Sequence, residues 1–287
     1  MKKVLDVGCG TGILSLFAAQ AGAKLVIGVD MSAIAEQATI IAKVNKMDHI
    51  VKIIRGKIEE VDLSEYCDKV DIIISEWMGY ALLYESMLDS VLIARDKWLR
   101  KGGLIFPDKA SMYLVAIEDG DYKDEKIKFW DNVYGFDFTC FKPWALREPL
   151  VDTVDAKQIM SRDPCKIFDI DINTVKKEDL DFTAKFSLVA DRNDYCHGFL
   201  LYFDVTFASG HKPISFSTSP ESQYTHWKQT TFYLIEDLIM NEGEKVEGVF
   251  SCSRNAVNHR ELDIRISYEF KGKQQTCKRE ADMYHIR

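Results

Sequence analysis

The rhythm of apolar and polar positions changes near residue 107. Before that point, short apolar runs alternate with stretches of helical spacing. Val4–Val7 is apolar apart from Asp6 and ends at Gly8. Ile13, Leu14, Phe17, Ala18 and Ala21 then follow helical spacing and stop at Gly22. Leu25–Val29 reads as a second strand ended by Asp30. Ser32 is placed to cap a helix carrying Ile34, Ala38, Ile41 and Ala42. Val51–Ile54 and Val70–Ile74 are further strands, the second apolar enough for burial on both faces. A helix over Met87–Leu99 leads through Lys101-Gly102-Gly103 into a fifth strand, Leu104–Phe106. Such alternation predicts a parallel, doubly wound α/β sheet.

Pro107 ends that pattern. Ser111–Ile117, Thr183–Leu188, Leu200–Phe207, Thr230–Leu234, Val246–Ser251 and Leu262–Phe270 alternate, or carry many β-branched and aromatic residues. Gly, Asn and Asp punctuate them, which predicts an antiparallel barrel or sandwich. Between residues 120 and 150 the aromatics fall at helical spacing instead (Phe129, Trp130, Val133, Tyr134, Phe136). That stretch reads as a packed helix or a protruding arm.

Composition narrows the function classes. The chain has 287 residues, 47% of them apolar and 29% charged, which is ordinary for a globular protein. Lys and Arg total 37 against 45 Asp and Glu, a net charge of −8. That balance disfavours direct nucleic-acid binding and suits a basic partner. No apolar run approaches the roughly 18 residues of a membrane span, and the opening Met1-Lys2-Lys3 does not resemble a signal peptide. Seven scattered cysteines without a C-x-x-C pair predict free thiols in a reducing compartment and no metal site.

Three segments carry candidate chemistry. Asp6-Val7-Gly8-Cys9-Gly10-Thr11-Gly12 follows a strand and opens a helix, where glycines admit close approach of a ligand. The dinucleotide fingerprint would need glycine at Ile13, which argues against a nicotinamide oxidoreductase. Asp30, ending the second strand, is placed to accept from ribose hydroxyls. An adenosyl ligand without a pyrophosphate, S-adenosylmethionine, fits both features. The second segment, Ser75–Glu85, lies just after an apolar strand, and Glu76 and Glu85 bracket its aromatic and apolar loop. Two converging carboxylates suit a planar cation such as a guanidinium. The same residues also read as a helix cap and a solvated surface charge. In the third, Tyr224-Thr225-His226-Trp227, the His reads as structural or catalytic and the Trp as core or as a cation–π channel wall.

Together these segments resemble the protein arginine N-methyltransferases, type I members above all. Val4–Gly12 resembles the family's cofactor loop, Val26–Asp30 its ribose-binding strand end, Ser75–Met87 its double-Glu loop and Thr225-His226-Trp227 its THW loop. Many members carry Glu where this chain has Asp30. The resemblance extends through Arg147–Asp152 and Ser217–Ser222 and covers essentially the whole chain.

The resemblance implies a Rossmann-like S-adenosylmethionine-dependent methyltransferase domain over 1–107. An antiparallel β-barrel domain over 108–287 would follow, joined at a proline that is often cis. It also implies a dimerisation arm near 120–150 that grips the partner's cofactor domain. Glu76 and Glu85 would bind the acceptor guanidinium, and His226 would accept or relay its proton. Asp6, Gly8, Gly10, Asp30, Ile58 and Glu59 would bind the cofactor, with the glycines on its methionine part, Asp30 on ribose, and Ile58 and Glu59 on adenine. Tyr80, Met87 and Trp227 would line the substrate side, the Met matching a position associated with asymmetric dimethylation. S-adenosylhomocysteine would be the product. Arginine–glycine-rich proteins and histone tails would be substrates, in cytoplasm and nucleus.

The family's N-terminal helical segment, which closes over the cofactor, has no counterpart in these 287 residues. The chain by itself is therefore expected to be weakly active or inactive. Two rivals remain at this level: a methyltransferase for small molecules or nucleic acid, which the paired Glu disfavour, and an inactive dimer partner with the same fold.

Overall fold

The computed structural model describes residues 2–161 and 163–287. Its first half is a five-stranded parallel sheet in the order β3-β2-β1-β4-β5. The strands are β1 (Lys3–Val7), β2 (Leu25–Asp30), β3 (Val51–Arg55), β4 (Val70–Ile74) and β5 (Leu99–Phe106), with helices α1 (Ile13–Gln20), α2 (Ile34–Val44) and α3 (Met87–Trp98) between them. Leu5, Val26, Ile27 and Ile73 are fully buried, as expected of strands covered on both faces. β5 is longer than its apolar core suggests, because Leu99 already pairs with Val70 ahead of a register shift. Ser32 does not cap α2. Its N–H and hydroxyl both donate to Asp30, and Ala33 takes the cap position.

The Phe106–Pro107 peptide is cis. Asp108 follows, buried, and accepts from the N–H groups of Ala208 and Ser209, both at 2.7 Å. Burial alone would raise this carboxyl, but the hydrogen bonds win and hold it below its ordinary value.

Two antiparallel sheets make up the second half. One runs β7 (Leu150–Asp152), β12 (Gln229–Met240), β10 (Asp194–Phe207), β6 (Lys109–Ile117), β8 (Cys165–Asp171), with β11 (Ile214–Ser217) also paired to β10. The other runs β15 (Thr276–Ile286), β14 (Leu262–Lys271), β13 (Lys245–Arg254), β9 (Phe182–Val189). Phe186 of one and Phe199 of the other meet edge to face at 5.2 Å within a shared barrel-like core.

Residues 120–145 form short helical turns. Phe129, Tyr134, Phe136, Phe141 and Trp144 are all exposed there. Partial order comes from Trp130, which stacks on Phe141 at 5.2 Å. Ile127 and Leu146 pack against Tyr233 of β12, so the segment is seated on the barrel at its base while these aromatics stay uncovered.

Candidate active site

In the strand order, β1 lies between β2 and β4, so the chain runs outward in opposite directions on either side of the β1–β4 gap. Ligands in open α/β sheets bind at the carboxyl ends beside such a reversal. The glycine loop leaves β1 there and the Ser75–Ser86 loop leaves β4 there. The two are tied at their bases, where the buried Ser75 hydroxyl donates to the Val7 carbonyl at 2.7 Å.

The glycine loop has to turn within a few residues, and Gly8, Gly10 and Gly12 all adopt positive φ to do so. A Cβ on Gly8 would lie 2.5 Å from the Met87 methyl carbon. The Gly10 N–H donates to Asp30 Oδ2 at 2.9 Å, while Asp30 Oδ1 accepts twice from Ser32. Asp30 thus ties the loop to β2 and keeps one acceptor site on Oδ2 for a ligand hydroxyl. Asp6 departs from its expected ligand contact. It is fully buried beneath the loop, outside the cavity wall, and accepts from Ser15 of α1 at 2.7 Å. Burial raises its pKa to about 6. Its role is to support the loop.

The second loop carries more backbone strain. Ala81, Leu82, Glu85 and Ser86 all have positive φ, a conformation costing about 1–2 kcal/mol for each such residue. Gly79 pairs with Leu82, and a Cβ on Gly79 would lie 2.0 Å from the Tyr84 carbonyl oxygen. Only glycine fits there. This fold-back brings Glu85 close enough to Glu76 for its charge to disfavour ionisation of Glu76. Partial loss of hydration is the main reason that Glu76 titrates above its usual range. His226 and the Met78 N–H pull it back. Glu85 forms an ion pair with Arg260 at 3.0 Å, and its N–H donates to the Arg260 carbonyl.

The second half closes the site. Trp227 Nε1 donates to the Met78 carbonyl at 2.8 Å, worth about 1 kcal/mol. Its ring stacks on Phe216 at 5.4 Å and lies against the tilted His226 ring at 4.0 Å. The imidazole is thereby held toward Glu76. Trp227 is both an anchor and a wall.

A largely apolar cavity of about 700 Å³ runs from Gly8–Thr11 past Glu76 and Met78 to Pro107, Phe216 and Trp227. Its size is typical for a small-molecule site. Nothing would obstruct a Cβ on Gly10, so the loop backbone faces open space there. An adenosyl ligand, with the apolar faces of its aromatic ring and a short charged tail, fits this wall. Ile58 and Glu59 do not line the cavity. Ile58 is buried in the core, and Glu59 accepts from Ser90 at 2.6 Å. Tyr80 also lies off it, half-exposed and stacked on Tyr84 at 6.2 Å. Met87 packs between Gly8 and the core. Phe216 and Arg260 were not anticipated. Arg260 lies in a polar β13–β14 connection where no periodicity marks it.

Residues 108–274 match the arginine methyltransferase oligomerization subdomain, and residues 1–103 match the ribosomal protein L11 methyltransferase family. The chain is 57% identical over 286 residues to protein arginine N-methyltransferase 1 of Chlamydomonas reinhardtii, covering all of this chain and 82% of the relative. It is 58% identical over 269 residues to the Schizosaccharomyces pombe protein of the same name, covering 94% and 78%. Among solved structures, the PRMT1 enzyme–prozyme heterotetrameric complex of Trypanosoma brucei with AdoHcy superposes with a TM-score of 0.95 at 48% identity, covering 100% of this chain and 89% of that one. Arabidopsis thaliana protein arginine methyltransferase 10 gives 0.86 at 30% identity, with coverage of 100% and 89%.

Proposed function

The chain belongs to the protein arginine N-methyltransferase family, and from that premise we infer that Glu76 and Glu85 take the guanidinium of a protein arginine while the glycine loop holds S-adenosylmethionine. The chain is an S-adenosylmethionine-dependent protein-arginine N-methyltransferase. The observation that carries the site reading is the Glu76–Glu85 loop itself. Two carboxylates stand on one strained turn at the carboxyl end of β4, and one of them already holds a guanidinium, that of Arg260.

When bound, S-adenosylmethionine would supply an electrophilic sulfonium methyl, its sulfur leaving as the neutral thioether of S-adenosylhomocysteine. The acceptor guanidinium is a weak nucleophile because its charge is delocalised. Glu76 and Glu85 would grip it, draw positive charge to the far nitrogens and leave the near nitrogen free to attack. As the N–C bond forms, that nitrogen loses a proton. His226, facing Glu76, is placed to receive or relay it. Gly8 and Gly10 would hold the methionine part and Asp30 the ribose.

Glu76→Gln and Glu85→Gln test the assignment. Each is expected to cut kcat on an arginine–glycine peptide about a hundredfold or more, with S-adenosylhomocysteine affinity retained. Full turnover by either variant would remove the residue from the mechanism.

The finer reading is type I chemistry, with Met87 beside the glycine loop shaping the acceptor pocket. Net charge −8 supports arginine–glycine-rich proteins and histone tails as substrates. The exposed aromatics of the 120–145 arm, and the apolar Ile13, Phe17 and Ile40 left exposed on α1 and α2, support a homodimer in which each arm grips the partner's cofactor half. Seven free thiols accord with cytoplasm and nucleus.

A further inference from the structure

We propose that the cavity between β10, β11 and the loop leading to Trp227 is a second cation subsite, which takes the guanidinium of another arginine in the same substrate segment. The proposal rests on the acceptor-site reading above and deepens it. The cavity encloses about 660 Å³. Phe216 and Trp227 line both it and the cavity beside Glu76, so the two cavities adjoin at this stacked pair.

The chemistry of the wall favours a planar cation. Asp204 is its one charged residue. On the sheet, Asp204 pairs directly with Ser217 of β11 and with Ser111 of β6, so its carboxylate sits on a row of small side chains that leaves room above it. Among the described residues Asp204 has no hydrogen-bond or ion-pair partner, and its Oδ1 is buried. Lys109, opposite the neighbouring Thr206, makes no ion pair with it.

The Asp204 carboxylate therefore has acceptor capacity free for a donor that enters the cavity. The exposed Tyr224 ring adds an aromatic face beside the stacked Phe216–Trp227 pair. A carboxylate and an open aromatic face together match a guanidinium, which donates in its plane and stacks on its face. A substrate bearing arginines a few residues apart would place one at Glu76 and Glu85 and the next over Asp204.

The test is peptide binding to the full chain saturated with S-adenosylhomocysteine, followed by fluorescence anisotropy. Three glycine-rich peptides are compared: one with a single arginine, one with a second arginine two to five residues away, and one with citrulline replacing that second arginine. Citrulline keeps the shape and removes the charge. The diarginine peptide is expected to bind about tenfold more tightly than the citrulline peptide, the scale of one charge-assisted contact. Asp204→Asn is expected to reduce that preference to less than about twofold, with its melting temperature checked alongside. Equal affinity for the diarginine and citrulline peptides, or a preference that survives in Asp204→Asn, overturns the subsite alone. Failure of the unaltered protein to bind any of the three overturns the acceptor-site reading and the subsite with it.

Discussion

The Arg260 guanidinium lies 3.0 Å from the Glu85 carboxylate, and the Arg260 carbonyl accepts the Glu85 N–H at 2.8 Å. One residue grips the other by side chain and main chain. The side chains are 67% and 52% exposed, so the ionic part contributes under about 1 kcal/mol. A substrate guanidinium that also reaches Glu76 and excludes water would displace it. Arg260→Gln is therefore expected to change the peptide KM by less than about fivefold. Steady-state kinetics decides: a kcat loss near that of Glu85→Gln would make Arg260 part of the catalytic machinery.

The raised pKa of Glu76 has a kinetic consequence. Burial disfavours its charge, His226 and the Met78 N–H restore some of it, and Glu85 disfavours it again. The ionised form, which holds the guanidinium, is present above the raised pKa and lost as pH falls through it. The acid limb of kcat/KM should lie above the ordinary Glu value of 4.5. His226→Gln removes a favourable charge and should move the limb higher still. An acid limb in the same place for both proteins would mean that His226 does not act on Glu76.

Gly8→Ala meets two obstacles of unequal size. The Met87 methyl, 2.5 Å from the new Cβ, ends a flexible side chain and can rotate away. The positive φ cannot be relieved and costs about 1–2 kcal/mol. Gly8→Ala should weaken S-adenosylhomocysteine binding in titration calorimetry, and adding Met87→Ala should restore little. Full rescue by the double variant would show that the clash dominates.

Asp6 predicts a stability signature. Its carboxyl has a pKa of about 6 in the fold against 3.8 in a free chain. The native state therefore keeps a proton that the unfolded state has released. The stabilisation is complete below 3.8 and is lost as pH rises through about 6, a difference of about 3 kcal/mol. Asp6→Asn keeps an acceptor for Ser15 and has no charge to bury. Melting curves at pH 5 and 7.5 should show a smaller decline for Asp6→Asn than for the parent. Parallel declines would assign the pH dependence elsewhere.

The cofactor half was legible because its strands are apolar and its loops are short. Val70–Ile74 was read to the residue. β8 was not anticipated, since its buried Ile167 and Ile170 are three apart across a register shift that breaks the two-residue period. β15 was missed because polar residues occupy its middle, with Asp282 buried. At the site, Glu76, Glu85, His226 and Trp227 were readable as local motifs, and the fold brings them together. The supporting place of Asp6, the core burial of Ile58 and the reach of Arg260 depend on contacts between distant segments, which no local pattern encodes.

The acceptor loop is fastened from the other half by Trp227 on Met78, by Arg260 on Glu85 and by the His259 carbonyl, which accepts from the Ser86 hydroxyl. The two halves are therefore poor candidates for modular exchange. A chimera pairing this cofactor half with an unrelated barrel would keep every glycine of the cofactor loop and still lack the fasteners of its left-handed turn. Transplanting the activity would require moving the Thr225–Trp227 loop and the β13–β14 connection as one cassette with Ser75–Ser86, three segments far apart in the chain that would have to be inherited together.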